Sequence, residues 1–106
     1  MKPKISRILR ELRKQLDAIY GRRLASLILF GSQARGDAAP ASDLDVLVVL
    51  HGDVDPGREI TRTGKAITAL SLNNDAVISC VFVSTERYAS EQTPLLLNVR
   101  NEGISI

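Results

Sequence analysis

The sequence predicts one α/β domain in which helices flank a small mixed sheet of about three strands. Three short apolar segments rich in Leu, Val and Ile are interspersed with amphipathic segments of helical period, as expected of such a domain. A length of 106 residues, with 44% hydrophobic and 25% charged residues, suits a single globular domain over residues 1–106.

The first half of the chain contains one helix and two strands. Apolar residues three and four apart predict an amphipathic helix over residues 4–20. Its inward positions are Ile5, Ile8, Leu9, Leu12, Leu16 and Ile19. The apolar run 24–30 predicts a buried strand, and the Gly, Pro and Ser content of residues 36–42 predicts a loop. Residues 43–50 are apolar after the first three, which predicts a second strand covered on both faces.

The second half adds a helix, a strand and a last helical region. Residues 51–57 contain Gly and Pro and predict a loop. A proline at its first position opens a helix over residues 56–71. The Val, Ile and Phe content of residues 76–83 predicts a third strand. A final helical region follows over residues 85–101, and Pro94 divides it because proline interrupts a helix.

Charge is unevenly distributed along the chain. Residues 1–25 carry eight Lys or Arg and two acidic residues, a net charge of +6, whereas the remainder carries a net charge of −4. A basic segment can bind an anionic partner, but its simplest interpretation is the solvated face of the first helix. Two Phe, two Tyr and no Trp offer few platforms for base stacking, which disfavours a nucleic-acid partner.

Composition also limits the metal chemistry and the location. Cys80 and His51 are the only residues of their types, which excludes an intrachain disulfide, a cysteine-based zinc site and a multi-histidine metal site. Any metal must therefore be bound by oxygen ligands. No apolar run approaches the ~20 residues of a membrane span, and no signal segment follows the basic start. We therefore expect a soluble cytoplasmic protein without a membrane partner.

The segment GSQARG, residues 31–36, directly follows the first predicted strand. Gly31 lacks the Cβ that would keep a ligand away from the backbone. The Ser32 hydroxyl is a hydrogen-bond donor, and a helical turn after it would direct backbone N–H groups at the same place. Arg35 adds a permanent cation that can bind phosphate oxygens through two N–H groups. Together these features predict a cradle for a phosphate chain.

Asp43 and Asp45 open the second predicted strand and, being two residues apart, point to the same face. Two neighbouring carboxylates repel each other unless a cation neutralises them. Mg²⁺ is the hard, oxygen-liganded cation that suits a carboxylate pair beside phosphates. Two such ions can orient an attacking hydroxyl and stabilise the leaving oxygen of an in-line displacement. The pattern therefore predicts metal-assisted transfer to or from a nucleoside triphosphate.

The signature formed by residues 31–36 and 42–45 resembles that of the polymerase-β-type nucleotidyltransferase superfamily, and more narrowly that of its minimal nucleotidyltransferases. The matching residues are Gly31-Ser32, Ala34-Arg35-Gly36 and Ser42-Asp43-Leu44-Asp45. The resemblance implies the fold of that superfamily. It also implies that Gly31 and Ser32 hold the triphosphate of ATP and that Asp43 and Asp45 bind Mg²⁺.

The resemblance further implies a third carboxylate on a later strand, as a metal ligand or as the base for the incoming hydroxyl. No acid lies within the third predicted strand, where Ser79 stands at the expected place. We assign the role to Asp75, at the start of that strand, because strand alternation would place it on the same face as Ser79. Asp75 is thus the third predicted catalytic and metal-binding residue.

The resemblance implies a Mg²⁺-dependent transfer of a nucleoside monophosphate, AMP from ATP, to a hydroxyl acceptor. Proteins of this kind often accompany a small helical toxin of the HEPN class as its antitoxin, and some transfer AMP to a tyrosine of that toxin. The resemblance therefore implies a HEPN-type toxin as both partner and substrate.

Two alternatives stay open. The missing acid within the third strand favours a catalytically weak or inactive antitoxin that neutralises its partner by binding. An enzyme that acts on RNA or on a small-molecule antibiotic is disfavoured, because no additional domain provides a pocket for such an acceptor. The apolar run at residues 95–97 also leaves open a protein–protein contact or a homo-oligomer.

Overall fold

The structure is a computed structural model that describes residues 2–36 and 43–106. Its helices are α1 (Pro3–Tyr20), α2 (Ser32–Arg35), α3 (Pro56–Asn74), α4 (Thr85–Ser90) and α5 (Pro94–Glu102). Its strands are β1 (Leu24–Phe30), β2 (Leu44–Leu50), β3 (Ile78–Ser84) and β4 (Ile104–Ser105). A 3-10 turn over Gly21–Arg23 joins α1 to β1. The predicted loop over residues 36–42 lies outside the described residues from position 37 onwards.

The strands form one mixed sheet in the order β3-β2-β1-β4. Strand β1 pairs antiparallel with β2 and with β4, whereas β2 and β3 are parallel. The parallel pair needs a crossover connection, and α3 provides it. The mixed sheet with flanking helices confirms the predicted fold class. Strand β4 was not predicted, because two residues are too few to show an alternating pattern.

Each face of the sheet is covered by different helices. Helices α1 and α3 cover one face, where the buried side chains of the sheet include Leu29, Val46 and Val48. Leu96 and Val99 of α5 cover the other face and pack against side chains that include Ile28 and Leu47. Because side chains alternate along β2, Asp45 belongs to the second face.

The boundary between α3 and β3 differs from the prediction. Helix α3 continues to Asn74 instead of residue 71, and β3 begins at Ile78 instead of residue 76. The cause is Asp75, which ends the helix in the left-handed conformation with φ 48° and ψ 51°. The predicted division at Pro94 is confirmed, because α5 begins there after the N-cap residue Thr93.

A buried polar network closes the end of the sheet where β1 begins and β2 ends. Glu59 of α3 is 1% exposed, and its Oε1 accepts a 2.8 Å hydrogen bond from the Tyr20 hydroxyl. Arg23 approaches Glu59 Oε2 at 3.3 Å and also donates to the backbone carbonyl oxygens of His51 and Asp53. The network ties α1, α3 and the end of β2 together. None of the helices in the described parts of the chain is long and apolar enough to cross a membrane.

Candidate active site

The candidate site is built around the end of β1, where the chain turns at Gly31. This residue has φ 76° and ψ −160°, a conformation that is essentially restricted to glycine. A Cβ on Gly31 would lie 2.5 Å from Oδ2 of Asp45, closer than any real contact allows. Glycine is therefore favoured for two reasons: its backbone angles suit this conformation, and a Cβ at this position would force the Asp45 carboxylate to shift.

The turn leads into the single-turn helix α2, which begins at Ser32. The amides of Ala34 and Arg35 both donate to the carbonyl oxygen of Gly31, at 3.1 Å each. The turn ends at Gly36, which takes the left-handed conformation and donates its amide to Ser32. The amides that open a helix have no acceptor within it and are a common place for anions to bind, and Ser32 takes the first position of α2. The predicted helical turn after Ser32 is thus present.

The pairing of the sheet places the Asp45 carboxylate beside the turn at Gly31. Asp45 is opposite Phe30, the last residue of β1, and opposite Ser79 on β3. Asp43 precedes β2 by one residue and is exposed. Between them lies Leu44, which is 1% exposed and points into the core on the other face. A single buried leucine therefore separates two acids that lie on the α5 side of the sheet.

The electrostatics of the pair show that a charge on Asp45 is unfavourable in the free protein. Partial burial first, and then repulsion from Asp43, raise the pKa of the Asp45 carboxyl above its ordinary value. A bound cation would reverse both effects. The two carboxylates fit a hard divalent cation with oxygen ligands, and Asp43 and Asp45 are the residues that would hold Mg²⁺.

Arg35 points its charge toward the end of α5. Its Nη1 lies 3.1 Å from Oε1 of Glu102, and the side chains of Arg35 and Glu102 are 45% and 25% exposed. Sequence reasoning identified Arg35 as a phosphate-binding residue but did not identify Glu102. These two residues are 67 positions apart, and nothing in the sequence pattern signals their contact.

The structure does not bring Asp75 together with the Asp pair. Asp75 caps the end of α3, three residues before β3 begins, so the strand alternation used to place it beside Ser79 does not extend that far. Within residues 2–36 and 43–106, no three His, Cys, Asp or Glu side chains are grouped so that they could hold a metal. This geometry does not support the expected three-carboxylate group, and the role of Asp75 stays a prediction.

A cavity of about 740 Å³ lies next to this region, on the side of α1 and α3. Asp75, Gln33 and Leu44 contribute to its lining, together with Lys2 and Ile5 of the α1 region. It lies behind the sheet with respect to Asp45, because Leu44 and Asp45 point to opposite faces. Asp75 therefore borders a cavity on the α1 and α3 side of the sheet, whereas Asp45 lies on the α5 side.

Cys80 and His51 lie away from the site chemistry. Cys80 packs against the core on the α1 and α3 face, and its burial raises the pKa of the thiol to about 12. His51 follows the end of β2, at the opposite end of that strand from Asp45. Cys80 is therefore part of the core packing, and His51 is an exposed residue after β2.

The fold and the turn beside the acid pair define a nucleotide-transferring enzyme, and comparison with known proteins identifies the family. Residues 9–94 match the model of the nucleotidyltransferase domain. The chain belongs to this nucleotidyltransferase family.

Related proteins agree with this assignment. The chain is 30% identical over 102 residues to the candidate protein adenylyltransferase MJ0141 of Methanocaldococcus jannaschii. The alignment covers 96% of this chain and 98% of that protein. The fold of this chain is similar to that of a chain in a toxin–antitoxin structure solved with AMP-PNP, with a TM-score of 0.66 and 22% identity. The alignment covers 91% of this chain and 69% of that chain.

A further similar fold occurs in the complex of a tri-AMPylated Shewanella oneidensis HEPN toxin with its MNT antitoxin. The TM-score is 0.57 and the identity 20%, and the alignment covers 96% of this chain and 67% of that chain. The resemblance to minimal nucleotidyltransferases, stated from residues 31–45, is confirmed by these comparisons.

Proposed function

We propose that the protein transfers AMP from ATP, in a Mg²⁺-dependent reaction, to a hydroxyl group of a partner protein. The observation that carries this proposal is the close approach of the Asp45 carboxylate to Gly31, where a Cβ would lie 2.5 Å from Oδ2. It joins a turn suited to bind phosphate to a carboxylate pair suited to bind a divalent cation. Neither half would be sufficient for transfer without the other.

The chain's own residues bind and orient the nucleotide in this proposal. The backbone at Gly31 and the hydroxyl of Ser32 hold the β- and γ-phosphates, and Arg35 balances their charge. Asp43 and Asp45 bind Mg²⁺, which when bound would neutralise charge on the phosphate oxygens and lower the pKa of an acceptor hydroxyl. The acceptor oxygen then forms a bond to the α-phosphorus while the bond to pyrophosphate breaks.

The acceptor is proposed to be a tyrosine of a small helical HEPN-type toxin. The support is the similarity to the candidate protein adenylyltransferase of Methanocaldococcus and to the antitoxin solved with an AMPylated HEPN toxin of Shewanella. In this proposal the partner supplies the surface that presents its own hydroxyl. The protein is then an antitoxin that acts by covalent modification.

A second candidate function follows from the absence of a third acid near Asp45 among the described residues. Ser79 occupies the position beside Asp45 on β3, and a hydroxyl is a poor base and a weak metal ligand compared with a carboxylate. A chain with such a site could bind nucleotide and partner while transferring slowly. It would then neutralise the partner by binding alone.

Label transfer separates the two functions. The purified chain is incubated with ATP labelled at the α-phosphate and with Mg²⁺, with and without the protein that the adjacent gene encodes. We expect label on the partner, and a loss of at least about 100-fold in Asp43→Asn and Asp45→Asn. Asp53→Asn, which removes an exposed acid near the other end of β2, should transfer at the wild-type rate.

The remaining outcomes each have a definite meaning. A tight complex without label would support neutralisation by binding. Label on RNA or on an aminoglycoside, and not on protein, would contradict the proposed acceptor. Asp75→Asn tests the third carboxylate, because its full activity would exclude Asp75 from the chemistry and its loss of activity would restore that role.

A further inference from the structure

The ion pair between Arg35 and Glu102 connects the nucleotide-binding turn to the end of the last helix. Nη1 of Arg35 and Oε1 of Glu102 are 3.1 Å apart. Both side chains are partly exposed, so the pair is expected to add little to the stability of the fold. A contact of low structural value beside a binding site can instead serve to orient one of its members.

Glu102 has a fixed backbone from which to orient Arg35. The amide of Gly103 donates to the carbonyl oxygen of Val99 at 2.8 Å. A Cβ at Gly103 would collide with that carbonyl oxygen and with Cγ2 of Ile28, so the end of α5 is packed closely against β1. Strand β4 then pairs with β1 next to Ile28. Glu102 is therefore anchored to the same strand that leads to Gly31.

Arg35 is placed where an orienting contact matters. It is the last residue of α2, one turn after Ser32, and helical side chains lean toward the N-terminus of their helix. The contact with Glu102 is made through Nη1. A guanidinium has five N–H donors in a planar fork, so an arginine can contact a carboxylate at one edge and phosphate oxygens at another. The ion pair is therefore compatible with donation to phosphate oxygens at the start of α2.

We propose that Glu102 is a positioning residue that holds Arg35 ready for the β- and γ-phosphates of the bound nucleotide. A long arginine side chain loses rotamer freedom when it binds a ligand. Glu102 restrains that freedom before the nucleotide arrives, so less is lost on binding and affinity is higher. This inference rests on the proposed function, since it requires a nucleoside triphosphate at the turn after Gly31.

Binding of a non-hydrolysable ATP analogue, measured by calorimetry, tests the inference. We expect Glu102→Ala to weaken binding of the analogue about fivefold and Arg35→Gln to weaken it by more. AMP lacks the two phosphates that Arg35 serves, so its affinity should not change in Glu102→Ala. A merely structural role of Glu102 would lower the affinity for both ligands.

The double variant shows whether Glu102 acts through Arg35. In an Arg35→Gln background, Glu102→Ala should have no further effect on the affinity for the analogue. Glu91→Ala is the matched control, because it removes the exposed ion pair between Glu91 and Arg87 on α4, where the two side chains are 2.9 Å apart. The control should bind the analogue like the wild type, with a similar small change in stability.

Contrary results would be unambiguous. Unchanged binding of the analogue by Glu102→Ala would overturn the inference. Tighter binding would also overturn it, because it would show that Glu102 competes with phosphate for Arg35. An effect of Glu102→Ala that persists in the Arg35→Gln background would also overturn it. A wild-type chain that binds no analogue would overturn the proposed function itself, and the inference with it.

Discussion

The Asp45 carboxylate occupies the space that a side chain at position 31 would need, because a Cβ on Gly31 would lie 2.5 Å from Oδ2 of Asp45. The contact fixes the acid pair against the turn that is proposed to bind the triphosphate. It also favours glycine at the end of the first strand, because a Cβ there would force the Asp45 carboxylate to move. The distance between the two halves of the site is set by the pairing of β1 with β2.

Gly31→Ala should therefore abolish transfer by displacing Asp45. We expect a cost of about 1–3 kcal/mol in the free energy of unfolding from the backbone conformation alone. Gly52→Ala is the matched control, because Gly52, which lies after the opposite end of β2, also has a positive φ, of 83°, and no described residue lies within 4 Å of its Cβ position. It should lose similar stability in urea denaturation while retaining nucleotide binding. Equal activity losses in both variants would contradict the role assigned to the contact.

Asp45→Asn should stabilise the metal-free protein at pH 7 while abolishing transfer. The folded protein raises the pKa of Asp45, so stability is lost as the pH rises from below the ordinary value of 3.8 through the raised value. At pH 7 asparagine removes this cost. We expect a gain on the order of 0.5 kcal/mol, since partial exposure to solvent screens the charge.

The pH dependence provides the check on this prediction. The stability difference between Asp45→Asn and the wild type, measured by urea denaturation with chelator present, should shrink as the pH falls toward 4. Asp43→Asn removes the same mutual repulsion at an exposed position and should stabilise less. If the metal-free Asp45→Asn variant is less stable than the wild type at pH 7, the charge on Asp45 does not destabilise the folded protein and the prediction is wrong.

Glu59→Gln should be the most damaging of these substitutions for stability. The carboxylate of Glu59 is buried and is contacted by Tyr20, Arg23 and Arg62. Loss of its charge leaves two arginines without their acidic partner, and we expect a cost of about 2–3 kcal/mol because Arg23 retains some access to water. The resulting fall in Tm would be roughly 10 °C for a chain of this size.

The exposed pair of Arg87 and Glu91 again offers a control for that prediction. Glu91→Gln should change the free energy of unfolding by less than about 0.5 kcal/mol. Below its melting temperature, Glu59→Gln should still bind the ATP analogue, because the network lies at the opposite end of the sheet from Asp45. A Tm within a few degrees of the wild type would show that the network contributes little.

Cys80 should resist alkylation while the protein is folded. Burial raises the pKa of its thiol to about 12, so only about one thiol in 10⁴ is ionised at pH 8. Iodoacetamide at pH 8 should label the protein rapidly in 8 M urea and at least about 100-fold more slowly in buffer. Mass spectrometry before and after denaturation provides the measurement. Rapid labelling in buffer would show that β3 opens or that the thiol is accessible.

Local sequence patterns predicted the parts of the site that lie close together in the chain. The turn at Gly31, the helical turn after Ser32 and the alternation that pairs Asp43 with Asp45 all depend on neighbouring residues. Glu102 was missed because its contact with Arg35 depends on how the end of α5 packs against β1. Such long-range packing leaves no periodic signal in one sequence.

The predicted boundary before β3 shows the opposite failure, in which a local rule was extended too far. The apolar residues after position 75 continue the pattern of a strand, and alternation placed Asp75 on the face of the site. The structure instead uses this residue to end α3 in a left-handed conformation. Aspartate tolerates that conformation better than most residues, so a signal of a helix end was present in the sequence but was read as the start of a strand.

Leu44, buried between the two acids, has a consequence for how accurately they are held. Leu44 is 1% exposed and packs into the core on the face opposite the carboxylates, so an aliphatic side chain holds the backbone that carries both acids. The positions of the two carboxylates therefore depend on how Leu44 packs in the core. Substitutions in this part of the core would shift the carboxylates and lower activity even though every polar group of the site remained.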